Sequence, residues 1–281
     1  MEINKICVCG SGTMGNGIAQ AAAQAGLSAI LYDINQPILD KARQSTDKNL
    51  QKLVDKQKIS LSEKQEIIQR IQYTTDINNC LAPVIIEAIV ENLAIKISLL
   101  NQLSDINATE TILATNTSSL SVTSIAEKIK YPERVIGMHF FNPATIMKLV
   151  EIVKTKFTNE KTSATVLALA QQMNKVAVLC KDAPGFIVNR VARSFYTETL
   201  RLVEEGLVST TVADKLLEAS GFKMGPFKLM DLIGNDVNYE VSCSVYEQMN
   251  RNERFKPSYI QKEKVQQGKL GKKTGEGFYT Y

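Results

Sequence analysis

One histidine occurs in 281 residues, His139, and it sits in the apolar run Val135-Ile-Gly-Met-His-Phe-Phe-Asn-Pro143, which continues through Lys148-Leu-Val-Glu-Ile-Val153. Imidazole is the side chain whose ordinary charge change falls near neutral pH. Any imidazole base in this chain is therefore His139. Glu151 lies on the second apolar run. Two strands joined through the Phe-Phe-Asn-Pro turn would carry the carboxylate to the ring, where it would orient the imidazole and stabilise its protonated form. The same residues also fit a hydrogen-bonded core histidine and a surface charge, because structural ion pairs occupy such positions too.

A hydrogen-bonded His–Glu pair needs something to act on, and the amino-terminal segment offers it. Ile6-Cys-Val-Cys9 has the continuous apolarity of a buried parallel strand and runs into Gly10-Ser-Gly12-Thr-Met-Gly15. An Ala- and Gln-rich helix follows from Asn16, stopping at Gly26. A second strand, Ala29–Tyr32, then ends in Asp33. Strand, glycine turn, helix and acidic residue together form a dinucleotide fingerprint. Gly10 allows the tight turn, Gly12 lets a pyrophosphate approach the helix N-terminus, and Gly15 lets helix and strand pack closely. Thr13 and Met14 belong to the same loop. Asp33 would accept hydrogen bonds from ribose hydroxyls and repel a 2′-phosphate, which favours NAD over NADP. A glycine turn without a ligand is the competing reading.

The elements between these motifs complete an α/β chain. Residues 36–58 form a long polar helical stretch with basic residues in excess, Lys56 among them; it is either a solvated face or a surface crossed by a phosphate-bearing substrate tail. Residues 62–72 are expected to be another helix. Pro83–Val90 is a strand, with Glu91 and Lys96 just beyond its carboxyl end, where open α/β sheets bind ligands. Thr111–Thr115 is a further strand delivering Asn116-Thr-Ser-Ser119 to the same edge, where the hydroxyl and amide groups could bond a cofactor or substrate, or cap a helix. Thr158 is expected to cap a helix reaching Asn174, before a last strand over Lys175–Leu179. Asp182-Ala-Pro-Gly185 then marks a boundary. Beyond it the pattern is helical, beginning with Phe186–Glu205, and Asn189 falls in its first turns near the junction. The expected architecture is a Rossmann-type doubly wound sheet over residues 1–183, followed by a smaller all-α domain over 184–281.

Composition excludes several classes. A net charge of +4 is spread along the chain rather than gathered into a stripe with aromatics, so a nucleic-acid partner is not expected. No apolar run reaches membrane-spanning length, and the amino terminus lacks the pattern of a signal peptide, so no membrane role and a cytoplasmic location are expected. Five cysteines are an odd number set mostly in apolar runs, which suits free thiols in a reducing compartment. With no histidine beside Cys7 and Cys9, no metal is expected.

Taken together the motifs GSGTMGNGIAQ, EAIVEN, NTSSL, HFFNP with MKLVEIV, DAPGFIVNR, MGP with DLIG, and GKKTGEGFY resemble, in this order, the short, monofunctional L-3-hydroxyacyl-CoA dehydrogenases. The resemblance covers nearly the whole chain. It implies NAD-dependent, reversible oxidation of a 3-hydroxyacyl-CoA, with His139 as base, Glu151 as its partner, and Ser118 and Asn189 around the reacting oxygen. It further implies that Asp33, Glu91, Lys96, Ser118, Asn142 and Lys273 contact the cofactor and Lys56 the acyl-CoA substrate. Asn49 stands where the mitochondrial-type members carry a second CoA-contacting serine. A homodimer formed through the helical domain is also implied. The segment GFKMGPFKLMDLIGND is similar to members acting on a dicarboxylic 3-hydroxyacyl-CoA. A hydroxy-acid dehydrogenase working without CoA, or a silent dinucleotide-binding protein, are the alternatives.

Overall fold

The computed structural model describes residues 3–281, which divide into two compact units, the first ending at Asp182 and the second covering Ala183–Tyr281. Eight strands form one sheet in the first unit: β1 (Lys5–Cys9), β2 (Ser28–Tyr32), β3 (Ile71–Thr74), β4 (Val84–Glu87), β5 (Ile112–Thr115), β6 (Val135–Phe140), β7 (Leu149–Lys154) and β8 (Val176–Lys181). Helices α1 (Thr13–Gln24), α2 (Gln36–Asp55), α3 (Leu61–Gln69), α4 (Leu93–Ile106), α5 (Val122–Ala126) and α6 (Glu160–Gln172) connect them. The strand order is β3-β2-β1-β4-β5-β6-β7-β8. All neighbours pair parallel except β6 and β7, which are antiparallel. The order reverses between β1 and β4, so the glycine loop after β1 and the segment after β4 open into one crevice.

Local chemistry accounts for the elements. Strands β1, β4, β5 and β6 are buried on both faces, as the apolar runs require in a sheet covered by helices. Ile6, Val8, Ile18, Leu31, Ile86 and Ile136 pack in one cluster, each fully or nearly fully buried, and each such side chain contributes about 1.5–3 kcal/mol of transfer free energy. The Asn35 side chain accepts from the Ile38 amide to start α2, and Ser60 and Glu63 make a reciprocal capping box on α3. That box starts a short helix, and residues 71 and 72, expected to end it, open β3 beside β2 instead. Ile71 and Thr74 are the buried residues of this short edge strand and lie three positions apart, a spacing that matches helix as well as it does strand. The cap of α6 is Asn159 rather than Thr158, whose hydroxyl donates instead to the Val135 carbonyl at 2.7 Å. Ser121, not the preceding Asn116–Ser119, caps α5.

The connection from β3 back to β4 carries no long helix, only a short 3₁₀ turn over Ile77–Asn79, and it sets Cys80 against Cys7 and Cys9 of β1. Hydrogen bonds from Cys7 and Cys9 hold the Cys80 thiol below its ordinary range.

The second unit contains α7 (Val188–Glu204), α8 (Thr210–Ala219), α9 (Pro226–Ile233), α10 (Asn235–Gln248) and α11 (Tyr259–Gln266) around Tyr196, Leu200, Ala213, Phe227 and Met230. Two buried carboxylates organise it. Asp214 accepts from the Phe227 and Lys228 amides at 2.9 and 3.0 Å, starting α9. Asp231 accepts from the Phe278 and Tyr279 amides, both at 2.9 Å, and so fastens the carboxyl-terminal tail. The glycine-rich tail is needed here: a Cβ on Gly277 would come within 2.0 Å of Asp231 Oδ1. No helix among the described residues is long and apolar enough to cross a membrane.

Candidate active site

Strand β6 carries His139 toward the crevice edge, and β7 returns antiparallel with Glu151 directly opposite it. Opposed residues in an antiparallel pair point to one face with their Cβ atoms about 4.5–5.5 Å apart. The ladder itself therefore sets the pair. His139 Nδ1 lies 2.8 Å from Glu151 Oε2, with side chains 7% and 1% exposed. A carboxylate only accepts, so Nδ1–H donates and the basic lone pair of the neutral ring is on Nε2. The Phe141 ring tilts over the imidazole with centroids 4.6 Å apart. The Phe140 amide donates to Asn116 Oδ1 at 2.9 Å, which ties the end of β6 to the loop after β5.

The glycine loop is shaped by contacts that leave no room for side chains. Gly10 has φ +100, and a Cβ there would meet the Ala88 carbonyl oxygen at 2.5 Å. On Gly15 it would meet the Gly10 carbonyl oxygen at 1.7 Å, whereas a Cβ on Gly12 would have nothing within 4 Å. That open position fronts the N-terminus of α1, whose cap is Gly12 and which begins at Thr13 without a side-chain cap. First-turn amides and the helix dipole favour an anion there, so the cradle fits a pyrophosphate. Met14 packs, half-buried, against the core cluster. Asp33 accepts from the Ser11 amide at 2.8 Å, from the Ser11 hydroxyl at 2.9 Å and from the Asn35 amide at 3.1 Å. One serine thus couples the loop to the acidic residue. The residues after Asp33 are Ile34 and Asn35, neither a cation for a 2′-phosphate.

Past β4 and β5 lies a polar cluster that the sequence only partly announces. Lys96 is 1% exposed, and its ammonium bonds Glu87 Oε1 at 2.7 Å and Glu91 Oε2 at 3.1 Å. Expected as a cofactor contact, it stands behind these carboxylates. Glu91 in turn accepts from the Thr117 hydroxyl, the Ser118 amide at 3.1 Å and the Ser119 hydroxyl at 3.1 Å. Burial raises the Glu91 pKa, but the Lys96 charge and the bonds from Thr117, Lys96 and Ser118 outweigh it and hold the carboxyl below its usual range. Glu87 also accepts from the Thr115 hydroxyl at 2.7 Å. It escaped the sequence reading, although a carboxylate inside an otherwise apolar buried strand itself signals a missing counter-ion.

Asn49 and Lys56 lie seven positions apart along α2 and at its C-cap, two helical turns, and both are exposed. Asn49 lines a cavity of about 160 Å³ together with Thr13, Asn142 and Gln20. The oxygen of Gln20 is buried there without a hydrogen-bond partner, a polar group the sequence gave no reason to single out. A larger cavity, about 870 Å³, lies by Pro83, Ile112 and Arg134 at the amino ends of β4 and β5, away from all these residues. In the second unit, Asn189 lies in the first turn of α7, its carbonyl accepting from Arg193 Nε at 3.1 Å. Lys273 pairs with Asp236 at 2.6 Å.

Comparison with known proteins follows the same division. Residues 5–183 match the family model described as 3-hydroxyacyl-CoA dehydrogenase, NAD binding domain, and residues 185–281 match that of the C-terminal domain. The chain is 43% identical to a 3-hydroxyadipyl-CoA dehydrogenase of Escherichia coli, a match covering 100% of this chain and 60% of that protein, so it spans well under two thirds of that relative's length. It is 38% identical to a probable 3-hydroxybutyryl-CoA dehydrogenase of Bacillus subtilis over 100% of this chain and 98% of the other. The crystal structure of the (S)-3-hydroxybutyryl-CoA dehydrogenase of Ralstonia eutropha superposes with a TM-score of 0.95 at 35% identity, covering 100% and 99% of the two chains. With both of its units matched to paired models and its sheet edge carrying the dinucleotide loop, the chain belongs to the 3-hydroxyacyl-CoA dehydrogenase family, with residues 5–183 as its NAD-binding domain.

Proposed function

We propose that the protein catalyses the reversible NAD-dependent oxidation of a short-chain (S)-3-hydroxyacyl-CoA, such as the 3-hydroxybutyryl thioester, to the 3-oxoacyl-CoA. The observation that carries this reading is the buried His139–Glu151 pair, 2.8 Å apart at the crevice edge that also holds the glycine loop. Bound NAD supplies the hydride acceptor. His139 removes the 3-hydroxyl proton as C3 loses its hydride, and Glu151 balances the imidazolium that forms. Ser118 and Asn189 hydrogen-bond the oxygen as it becomes a carbonyl. In the reducing direction protonated His139 is the acid.

The remaining residues divide by what they hold. Gly10, Gly12, Thr13 and Gly15 shape the pyrophosphate cradle with Met14, and Asp33 receives the ribose hydroxyls. Glu91, Asn142 and Lys273 contribute to the cofactor site, and Lys96 acts through Glu91. Asn49 and Lys56 serve the CoA end. A homodimer joined through the second unit fits the apolar side chains exposed there, Val191 at 70%, Leu207 at 65% and Leu216 at 63%.

A dicarboxylic substrate is the second reading, favoured by the 43% identity to the 3-hydroxyadipyl-CoA dehydrogenase. NADH oxidation with acetoacetyl-CoA, 3-oxoadipyl-CoA and free acetoacetate, run side by side, separates the possibilities. Turnover of acetoacetyl-CoA is the expected result, a clear preference for 3-oxoadipyl-CoA would move the reading to the dicarboxylic class, and silence with all three would refute both. In the same assay His139→Ala is expected to lose about 10²- to 10⁴-fold in kcat/KM while NADH affinity stays near wild type. Wild-type turnover in that variant would remove His139 from the mechanism.

A further inference from the structure

Cys7 and Cys9 alternate with Ile6 and Val8 on β1, so their side chains leave the sheet on the face opposite the cluster that packs with α1. The chain returning from β3 to β4 crosses that face and adds Cys80. The three sulfurs lie within 4.8 Å of one another, and Cys7 Sγ and Cys9 Sγ are 3.9 Å apart. All three residues are 0% exposed.

We propose that Cys7, Cys9 and Cys80 form a three-thiolate site for a soft divalent cation of the filled-d-shell class. A metal at the centre of three sulfurs with bonds of about 2.3 Å places those sulfurs about 4.0 Å apart, close to the Cys7–Cys9 separation. Thiolate sulfur selects soft cations over magnesium or calcium. Structural zinc asks for four ligands, so a cation content with three is the better match. Charge decides its valence. Binding breaks three S–H bonds, forms three metal–sulfur bonds and releases three protons, leaving net charge −1 with a divalent ion and −2 with a monovalent one. The smaller buried charge is favoured.

Sequence distance hides the site, since Cys80 is far from the Cys7–Cys9 pair and no histidine marks either. Entry is through the segment carrying Cys80, a short 3₁₀ turn bordered by Leu81, which is 48% exposed. Hydrogen bonds such as Asn79 Nδ2 to Thr74 Oγ1 at 3.0 Å and Asn107 Nδ2 to the Cys80 carbonyl at 2.9 Å hold the turn, and their local opening exposes the sulfurs without unfolding the sheet.

Cadmium is the probe. The reduced full-length protein, titrated with cadmium against a competing chelator, should develop sulfur-to-metal charge-transfer absorption that saturates at one equivalent. Loss of second-shell support alone costs metal sites about 10–100-fold, so loss of a ligand in Cys80→Ser should weaken binding by at least about 100-fold. Cys180→Ser and Cys243→Ser should bind as wild type. Absence of the band at one equivalent, its survival in Cys80→Ser, or its loss in Cys180→Ser or Cys243→Ser would overturn the site. Should Cys80→Ser not fold, alkylation mapping of the wild-type protein gives the same decision: cadmium must protect Cys7, Cys9 and Cys80 together, and labelling unchanged by cadmium would refute the proposal.

Discussion

At the scale of single residues, the crevice edge is built from carboxylates whose charge is answered inside the protein. Glu151 answers His139, Asp33 is held by Ser11, and Glu87 with Glu91 encloses Lys96. Glu91 offers a test. Its folded pKa is depressed, so the stability it contributes is present above its unfolded value, near 4.3, and is lost as pH falls through the lower folded value. Glu91→Gln is therefore expected to lower unfolding free energy by about 1–2 kcal/mol at neutral pH, with the difference closing below roughly pH 4. Urea unfolding of both proteins across this range measures it, and a difference independent of pH would show that the charge is not responsible. The residues in this cluster differed in how far sequence exposed them. His139 stood out by being alone and Asp33 by its place after a strand. Glu87 and Ser11 did not, and Thr117 was marked only as one hydroxyl of Asn116–Ser119, because their roles arise from neighbours brought in by strand pairing.

At the scale of elements, the glycine loop shows how closely α1 is seated. Gly15→Ala would drive a Cβ to 1.7 Å from the Gly10 carbonyl oxygen, a backbone atom that can yield only if helix and strand separate. The expected cost is about 1–3 kcal/mol in stability, together with weaker NADH binding read by fluorescence titration. Gly12→Ala meets no protein atom, so it should leave stability nearly unchanged while weakening NADH binding. Equal losses in both variants on both measures would contradict the assigned division of roles. Most elements were legible because long apolar runs and strong caps point the same way. The misreadings fell where signals were short: β3, with four residues, and the α6 cap, where adjacent Thr158 and Asn159 offer equivalent side-chain oxygens. The return of β7 beside β6 was signalled by the Phe-Phe-Asn-Pro turn, whereas the convergence of Cys80 on β1 had no such mark, because periodicity carries no information on which strands become neighbours.

At the scale of the whole molecule, the chain forms two compact units, and the second exposes apolar side chains on which the proposed homodimer rests. If the proposed homodimer forms through this unit, the wild-type protein sediments as a dimer and Leu216→Glu, at a 63% exposed position on α8, shifts it to monomer without altering helix content. Unchanged sedimentation would place the contact elsewhere. The ladder between β6 and β7 has a broader consequence. Backbone register holds His139 across from Glu151, so the ladder sets the pair, while the residues between the strands, 141–148, bring Phe141 against the imidazole and Asn142 to the proposed cofactor site. A one-residue insertion inside β7 ahead of Glu151 would turn its carboxylate to the opposite side of the sheet. Proton chemistry is thereby written in strand register as much as in residue identity, so a shift of register in either strand removes the pair even where both residues are kept.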